Sequence, residues 1–174
     1  MFEVKEMGNK KSVHMRDTIA IKTSHVLPPD TNHHGTLFGG KLLAYVDIIA
    51  SITATKLARS NVVTASIDSV DFIQPIRVGD AVTLEAMVTW TGTSSMEIFV
   101  KVTTEQLLTG KSAVAALCFL TFVALDENGK PTEVPTIIPD TIEEQWLNET
   151  ASKRAEHRKK RKLESEEMAQ YFSK

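Results

Sequence analysis

One segment of this chain is a helix that is apolar on nearly every side, and the residues around it alternate with the period of a strand. Leu42, Val46, Ile49, Thr53 and Leu57 recur at spacings of four, three, four and four, which is one face of an α-helix. Leu43, Ala50 and Ala54 widen that face until little of the surface is left for water. Such a helix is buried, not laid on a surface. It stops near Ala58 to Asn61, and beyond it the period changes to two. Val63, Ala65 and Ile67 alternate, then Val70 and Phe72 continue one position out of phase, as across a β-bulge. Val82, Leu84, Ala86, Val88 and Trp90 alternate cleanly, and Met96, Ile98, Val100 and Val102 do so again. Ala113 to Leu125 is almost continuously apolar, as in a strand covered on both faces. Turn signals at Gly79-Asp80, Gly92-Thr93, Thr109-Gly110 and Asn128-Gly129 separate these strands. Upstream, Asp17 to Val26 reads as a first strand, ended by Pro28-Pro29-Asp30.

A single apolar helix buries its whole surface only if a curved antiparallel sheet wraps around it. The expected class is therefore α+β and the expected architecture a hotdog fold: a long buried central helix, a curved antiparallel sheet and a charged C-terminal helix. Residues 1–12 are polar and expected to fray, 13–130 form the domain, and 131–174 form a helical tail. Asp140 with Glu143, or Thr141 with Glu144, supplies a capping box for that tail. The helix then carries Trp146 and Leu147 and grades into the basic block Lys153 to Lys162. That block reads first as a solvated helix face, and second as an attractor for a phosphate-bearing ligand or an acidic partner.

Bulk properties exclude several function classes. The formal charge of −2 over 174 residues gives no reason to expect nucleic-acid binding. The longest apolar runs are too short or too broken to span a bilayer, and Met1 to Met15 has no signal-peptide core. The one cysteine, Cys118, forms no internal disulfide and suits a reducing compartment, so a cytoplasmic location is expected. No Gly-x-Ser-x-Gly elbow is present for a serine triad, and the histidines have no zinc-like spacing. Gly35, Gly40 and Lys41 approach the spacing of a phosphate loop, but Leu42 stands where a Mg²⁺-binding Ser or Thr is needed.

The chemistry that remains sits at the start of the helix. Gly39-Gly40 allows a ligand close to the first backbone N–H groups, which carry the positive end of the helix dipole. A carbonyl oxygen placed there meets an oxyanion hole. Two turns further on, Asp47 is a carboxylate in an apolar helix, which is costly unless paired or used. It reads as a general base, or as a structural partner of Lys56 or Arg59. Asn32, in the loop after the prolines, either orients a water or carbonyl or simply closes a turn.

These residues carry a resemblance. The pattern Pro28-x-Asp30-x-Asn32-x-x-Gly35-x-x-x-Gly39-Gly40-x(6)-Asp47 resembles the hotdog-fold acyl-CoA thioesterases of the cytosolic (brain-type) acyl-CoA hydrolase family. Val63 to Ser66, Asp71 to Asp80 and Gly92 to Glu97 are similar to that family's later blocks, so the resemblance covers about Asp17 to Leu125. It implies hydrolysis of fatty acyl-CoA to a fatty acid and free coenzyme A, with no metal and no cofactor beyond coenzyme A as substrate moiety or product. It implies that Asp47 is general base or nucleophile, that Asn32 assists it, and that the Gly40 amide holds the thioester oxygen. Where the family often has a second acid after the catalytic Asp, this chain has Ile48. Gly39 and the turn residues Gly92, Thr93, Ser94 and Ser95 become candidate substrate contacts, the turn offering small hydroxyls and backbone donors to a pantetheine arm. Free sheet edges call for at least a dimer, and the resemblance implies a hexamer, a trimer of dimers, with Asn32 and Asp47 from different subunits. Two rivals remain. A hotdog hydratase or dehydratase needs a His shortly after the Asp, and none occurs between Asp47 and Ala58. A non-catalytic acyl-CoA-binding module would bind coenzyme A without turnover.

Overall fold

The structure, a computed structural model, describes residues 5–7 and 10–173. The central helix, α1 (Gly39–Ala58), is held in a five-stranded antiparallel sheet. The sheet is built from β3 (Ala20–His25), β4 (Asn61–Phe72), β5 (Ala81–Thr91), β6 (Ser95–Gln106) and β7 (Lys111–Leu125). The strand order is β3-β5-β6-β7-β4, so the strand after the helix lies at the opposite edge from the strand before it. Alternate residues of the three inner strands point at α1: Leu84 and Val88, Ile98 and Val102, Leu120 and Phe122 pack with Val46, Ile49 and Leu57 in one core. This is the hotdog arrangement expected from the pattern.

The helix is not covered on every side. Ala44, Ile48, Ile52 and Thr55, spaced by four, four and three, form an exposed stripe, with Ile48 52% and Ile52 46% accessible. The sheet wraps the other faces and stops at β4, whose outer edge pairs with no described strand. Val63 and Ile67 of β4 are exposed as well.

Two register shifts interrupt the pairing of β4 with β7, between Thr64 and Ser66 and between Ile67 and Ser69. Each passes one extra residue through the ladder and so resets the alternation. Thr64 stands opposite the core residue Phe122, whereas Ser66 stands opposite Thr121 on the other face. The phase slip read from the sequence is thus two bulges, and their effect is to direct Thr64 inward and Ser66 and Asp68 outward.

The outer face carries a second helix, α2 (Ile142–Phe172), opened by a capping box in which Thr141 and Glu144 exchange hydrogen bonds of 3.2 Å. Of the two boxes the sequence allowed, this is the one that forms. Asn148 donates to the Thr89 carbonyl at 2.7 Å, where a bulge between Val88 and Trp90 turns that oxygen out of the ladder. The basic block is only partly a solvated face, which corrects the first expectation. Arg154 makes a bidentate pair with the fully buried Glu97, and Arg158 and Arg161 pair with Asp68. A carboxylate cannot be buried alone without severe cost, and α2 supplies its counter-charge.

Residues Lys5–Met7 and Lys10–His14, within and just beyond the stretch expected to fray, form strands β1 and β2. With β8 (Thr136–Ile138) they make a small sheet of order β1-β2-β8, in which β2 and β8 run parallel. The tail therefore contains a strand as well as a helix. Residues 1–4, 8 and 9, part of the same expectation, lie outside the described residues.

Candidate active site

The start of α1 is prepared by the loop before it. Pro28–Asp30 forms a single 3₁₀ turn, and the Phe38 N–H returns to the Asp30 carbonyl at 2.9 Å. Asn32 closes the segment between them: its Oδ1 accepts from the His34 and Thr36 amides at 2.9 and 3.3 Å, and its Nδ2 donates to Thr36 Oγ1 at 3.0 Å. Gly35 takes φ +71° inside that closure, a conformation that favours glycine. The turn role weighed for Asn32 is therefore real. One amide hydrogen remains, and Asn32 lines a cavity of about 430 Å³ together with Gly39, Leu42 and residues 72–76.

No described side chain caps α1, whose N-cap is Phe38. The first amides of the helix, at Gly39 and Gly40, are thus left for a ligand. A Cβ on Gly40 would lie 2.6 Å from the Phe38 ring, so a side chain there would displace the ring that closes the helix start. Beside it, Lys41 pairs with Asp30 at 3.0 Å. That hydrogen bond and charge, with smaller help from Tyr45, raise the Lys41 pKa above its ordinary value.

Asp47 lies about 12 Å further along the helix axis. It is half-buried, and its Oδ1 accepts a hydrogen bond from Thr64 Oγ1 on β4 at 2.8 Å. Lys56, one of its possible structural partners, instead donates to the Ile19 carbonyl. Thr64 was not singled out by sequence reasoning. The available signal was a hydroxyl one residue before the phase slip, where a strand side chain turns toward the helix. Asp47 borders the open stripe of α1 and does not line the Asn32 cavity, so one chain brings Asn32 to Gly39 but not to Asp47.

The Gly92–Ser95 turn lies elsewhere, between β5 and β6. Gly92 N–H donates to the Ser95 carbonyl at 2.9 Å, and the Thr93 and Ser94 carbonyls accept from Val134 and Ala124. A Cβ on Gly92 would meet Ser95 Oγ at 2.7 Å and the Trp90 ring at 3.2 Å, which explains glycine at that position. Ser95 lines a further cavity against α2, and Thr93 is exposed.

Among the described residues no three His, Cys, Asp or Glu side chains are grouped to hold a metal ion, and no helix is long and apolar enough to cross a membrane. Cys118 is buried in β7, and desolvation, with a smaller contribution from the Asp71 charge, pushes its thiol up to about 12. It is protonated at neutral pH and reads as a small apolar side chain.

Known proteins place these features in a family. Residues 34–111 match the thioesterase superfamily model, a span that contains Gly40, Asp47, Thr64 and the Gly92–Ser95 turn but not Asn32. An uncharacterised acyl-CoA thioester hydrolase of Bacillus subtilis is 56% identical over 154 residues, 88% of this chain and 90% of that protein. At lower identity, the cytosolic acyl coenzyme A thioester hydrolase of Rattus norvegicus matches at 37% over 119 residues, 67% of this chain and 31% of that protein. An acyl-CoA hydrolase of Staphylococcus aureus, solved with butyryl coenzyme A and coenzyme A, superimposes with a TM-score of 0.90 at 47% identity, over 94% of this chain and 99% of that one. An apo-hexameric acyl-CoA thioesterase superimposes with a TM-score of 0.85 at 56% identity, over 86% and 96%. On this identity, coverage and shared fold, the chain belongs to the thioesterase superfamily.

Proposed function

We propose that this chain hydrolyses acyl-CoA thioesters to a carboxylic acid and free coenzyme A, at sites that two copies build together. The observation that carries the reading is the placement of Asp47: a carboxylate held by Thr64, beside an open apolar stripe and an unpaired strand edge. Pairing of β4 with β4 of a second copy covers Ile48, Ile52, Val63 and Ile67 and brings the Asp47 of one copy toward the Asn32 cavity of the other. A hexamer, as a trimer of such dimers, accords with the hexameric relative. The same reading sets the protein in the cytoplasm, where a lone thiol stays reduced.

In this site Asp47 accepts a proton from water as the water oxygen attacks the thioester carbonyl. Negative charge develops on the carbonyl oxygen at the Gly40 amide, where one such donor is worth roughly 3–4 kcal/mol. Collapse of the tetrahedral species breaks the carbon–sulfur bond, and the thiolate leaves with the proton returned from Asp47. Thr64 fixes the carboxylate by donating to one of its oxygens, and Asn32 uses its remaining amide hydrogen to orient water or carbonyl. Gly39 and the Gly92–Ser95 turn are assigned to the pantetheine arm. No cofactor enters this scheme. The Staphylococcus aureus enzyme has been solved with an Asp, an Asn and a Thr each replaced by Ala, at the same separations along its chain as Asp47, Asn32 and Thr64.

The test is thiol release from acyl-CoA followed with a chromogenic disulfide. Asp47→Ala should lower turnover by about 10²–10⁴-fold with the oligomer intact, and Thr64→Val should give a smaller loss in kcat. Full turnover by Asp47→Ala overturns the assignment of the base. Binding of coenzyme A with no thiol release by the unaltered chain favours a binding module instead.

A further inference from the structure

The sheet-facing side of α2 continues past the last strand it can rest on. Leu147, Ala151, Arg154, Arg158 and Arg161 recur at spacings of four, three, four and three; the first two are buried and the three arginines pair with carboxylates of the sheet. Along them the helix steps from β6, at Glu97, to the edge strand β4, at Asp68. Ser165, Met168 and Phe172 continue the series by four, three and four. Yet every residue from 159 to 173 is exposed, Met168 at 56% and Phe172 at 81%. From 162 to 172 the helix runs on for roughly 16 Å, the width of about three strands. On that side β4 pairs with no described strand, so the arm overhangs the edge that a second copy covers.

A second stripe of α2 names the occupant. Lys153, His157, Lys160, Glu164, Glu167 and Tyr171 recur at four, three, four, three and four. Turned end for end, this stripe complements itself: Lys160 meets Glu164, His157 meets Glu167, and Lys153 meets the Tyr171 ring. Among the described residues only Lys160 of the six is in an ion pair, with Glu156 at 3.1 Å. The two-fold of that match falls at position 162, directly after Arg161, the last side chain of the helix to pair with β4. The two-fold of a β4–β4 ladder lies just outside β4, so helix and sheet call for the same axis. The flank matches too. Ala155, Lys159 and Lys162, on the other side of α2, face Ala65, Ser66 and Ser95, which leaves the self-complementary stripe toward the Phe72 end of β4. Bringing Thr64 toward the second copy's residues 72–76 centres the antiparallel ladder at about Ser69, on that same side of the Asp68 crossing. We propose that the α2 helices of two copies pair antiparallel across their β4 edges, each arm clasping the outer face of the other copy. Met168 and Phe172 close on the second copy's sheet, and the charged stripe sets register and direction. The inference rests on the paired-copy reading and deepens it: where two copies build each site, the clasp sets the dilution at which the sites survive.

The test keeps the full chain. Glu164→Lys with Glu167→Lys turns attraction into repulsion, and both residues are exposed, so the fold of one chain does not depend on them. Dissociation is followed by sedimentation velocity over a dilution series, with thiol release from acyl-CoA measured at the same dilutions. The reversal should raise the dissociation constant roughly tenfold to hundredfold, the order for four exposed charge contacts per pair of copies. Loss of activity should move to higher protein concentration by the same factor. Adding His157→Glu and Lys160→Glu to that chain exchanges the signs and should restore the original constant. Register is read by His157→Cys with Glu167→Cys: the two positions lie about 15 Å apart in one helix, so oxidation bridges them only between copies, and the buried Cys118 does not compete. A covalent dimer is expected, and none from Lys159→Cys with Glu166→Cys on the other flank. An unchanged constant after reversal, no restoration by the exchange, or equal bridging from both flanks overturns the proposal. A chain that is monomeric at every concentration overturns the paired-copy reading itself, whereas an oligomer that withstands the reversal overturns the clasp alone.

Discussion

Replacement of Arg154 by Met tests how α2 is held to the sheet. Glu97 is fully buried, and Arg154 donates to it through Nε at 3.1 and 3.2 Å and through Nη2 at 2.8 Å. The guanidinium also lies 4.3 Å from the Phe119 ring centre. Removing one partner of a buried pair costs about 3–5 kcal/mol, because the other charge stays behind uncompensated. Here Thr89 Oγ1 at 2.8 Å and Arg158 at 3.4 Å remain on the carboxylate, so the lower end, about 3 kcal/mol, applies. For a chain of this size that is a fall in Tm of roughly 6–12 °C. Removing both charges, as Glu97→Met with Arg154→Met, should recover most of the loss, since hydrophobic replacement of a buried pair is often neutral. Thr89 keeps a partner in that double variant, because its hydroxyl also reaches the Glu97 backbone carbonyl at 3.3 Å. Denaturant unfolding at one fixed protein concentration measures the cycle without a shift from oligomer dissociation. A cost below about 1 kcal/mol for Arg154→Met alone, the value of an exposed pair, would falsify the claim that this contact anchors the helix.

Two further outcomes follow from the same geometry. Neither Asn32→Ala nor Asp47→Ala should be active alone, yet chains of the two variants mixed in one assembly should regain about a quarter of the unaltered activity, because half the dimers are mixed and each restores one of two sites. No recovery would place both residues in one subunit's site. Cys118 should resist thiol reagents at neutral pH in the folded protein, and its raised pKa sets the sign of a pH effect. Below about 9 the thiol is neutral in both states; from there to about 12 the unfolded thiol ionises first, so stability falls as pH rises through that window. A Cys118→Ser or Cys118→Ala variant that keeps the same alkaline loss would assign it to other groups.

The sequence made the fold legible because its two periods exclude each other: a helix apolar on almost all sides has nowhere to go but inside a sheet. What it hid was the outer layer. Glu97 sits in a run of alternating apolar residues where nothing marks it as buried or paired, and its partner lies 57 positions away on α2. The Asn32, Gly40 and Asp47 candidates were legible as residue types in a spacing. Their distribution over separate surfaces of one chain was not, because it depends on where the sheet stops. Thr64 was legible only as part of a phase slip, since its partner is set by which way the bulge turns it. The stripe at Ile48 and Ile52 reads in sequence as more core, whereas the single chain leaves it open.

The two irregularities in β4 make that strand a reading frame. An ordinary strand tolerates a polar residue moved from one face to the other if the core is kept. Here the hydroxyl that steadies the carboxylate and the acid that receives α2 lie four positions apart, a spacing at which a regular strand would point both the same way. They reach opposite layers only because an extra residue intervenes. Straightening that bulge with the residue count kept would send Asp68 into the core and strip Arg158 and Arg161 of their counter-charge, whereas deleting the extra residue would leave Thr64 and Asp68 on their opposite faces. The base on one helix and the cations on the other are thus indexed to each other by backbone phase.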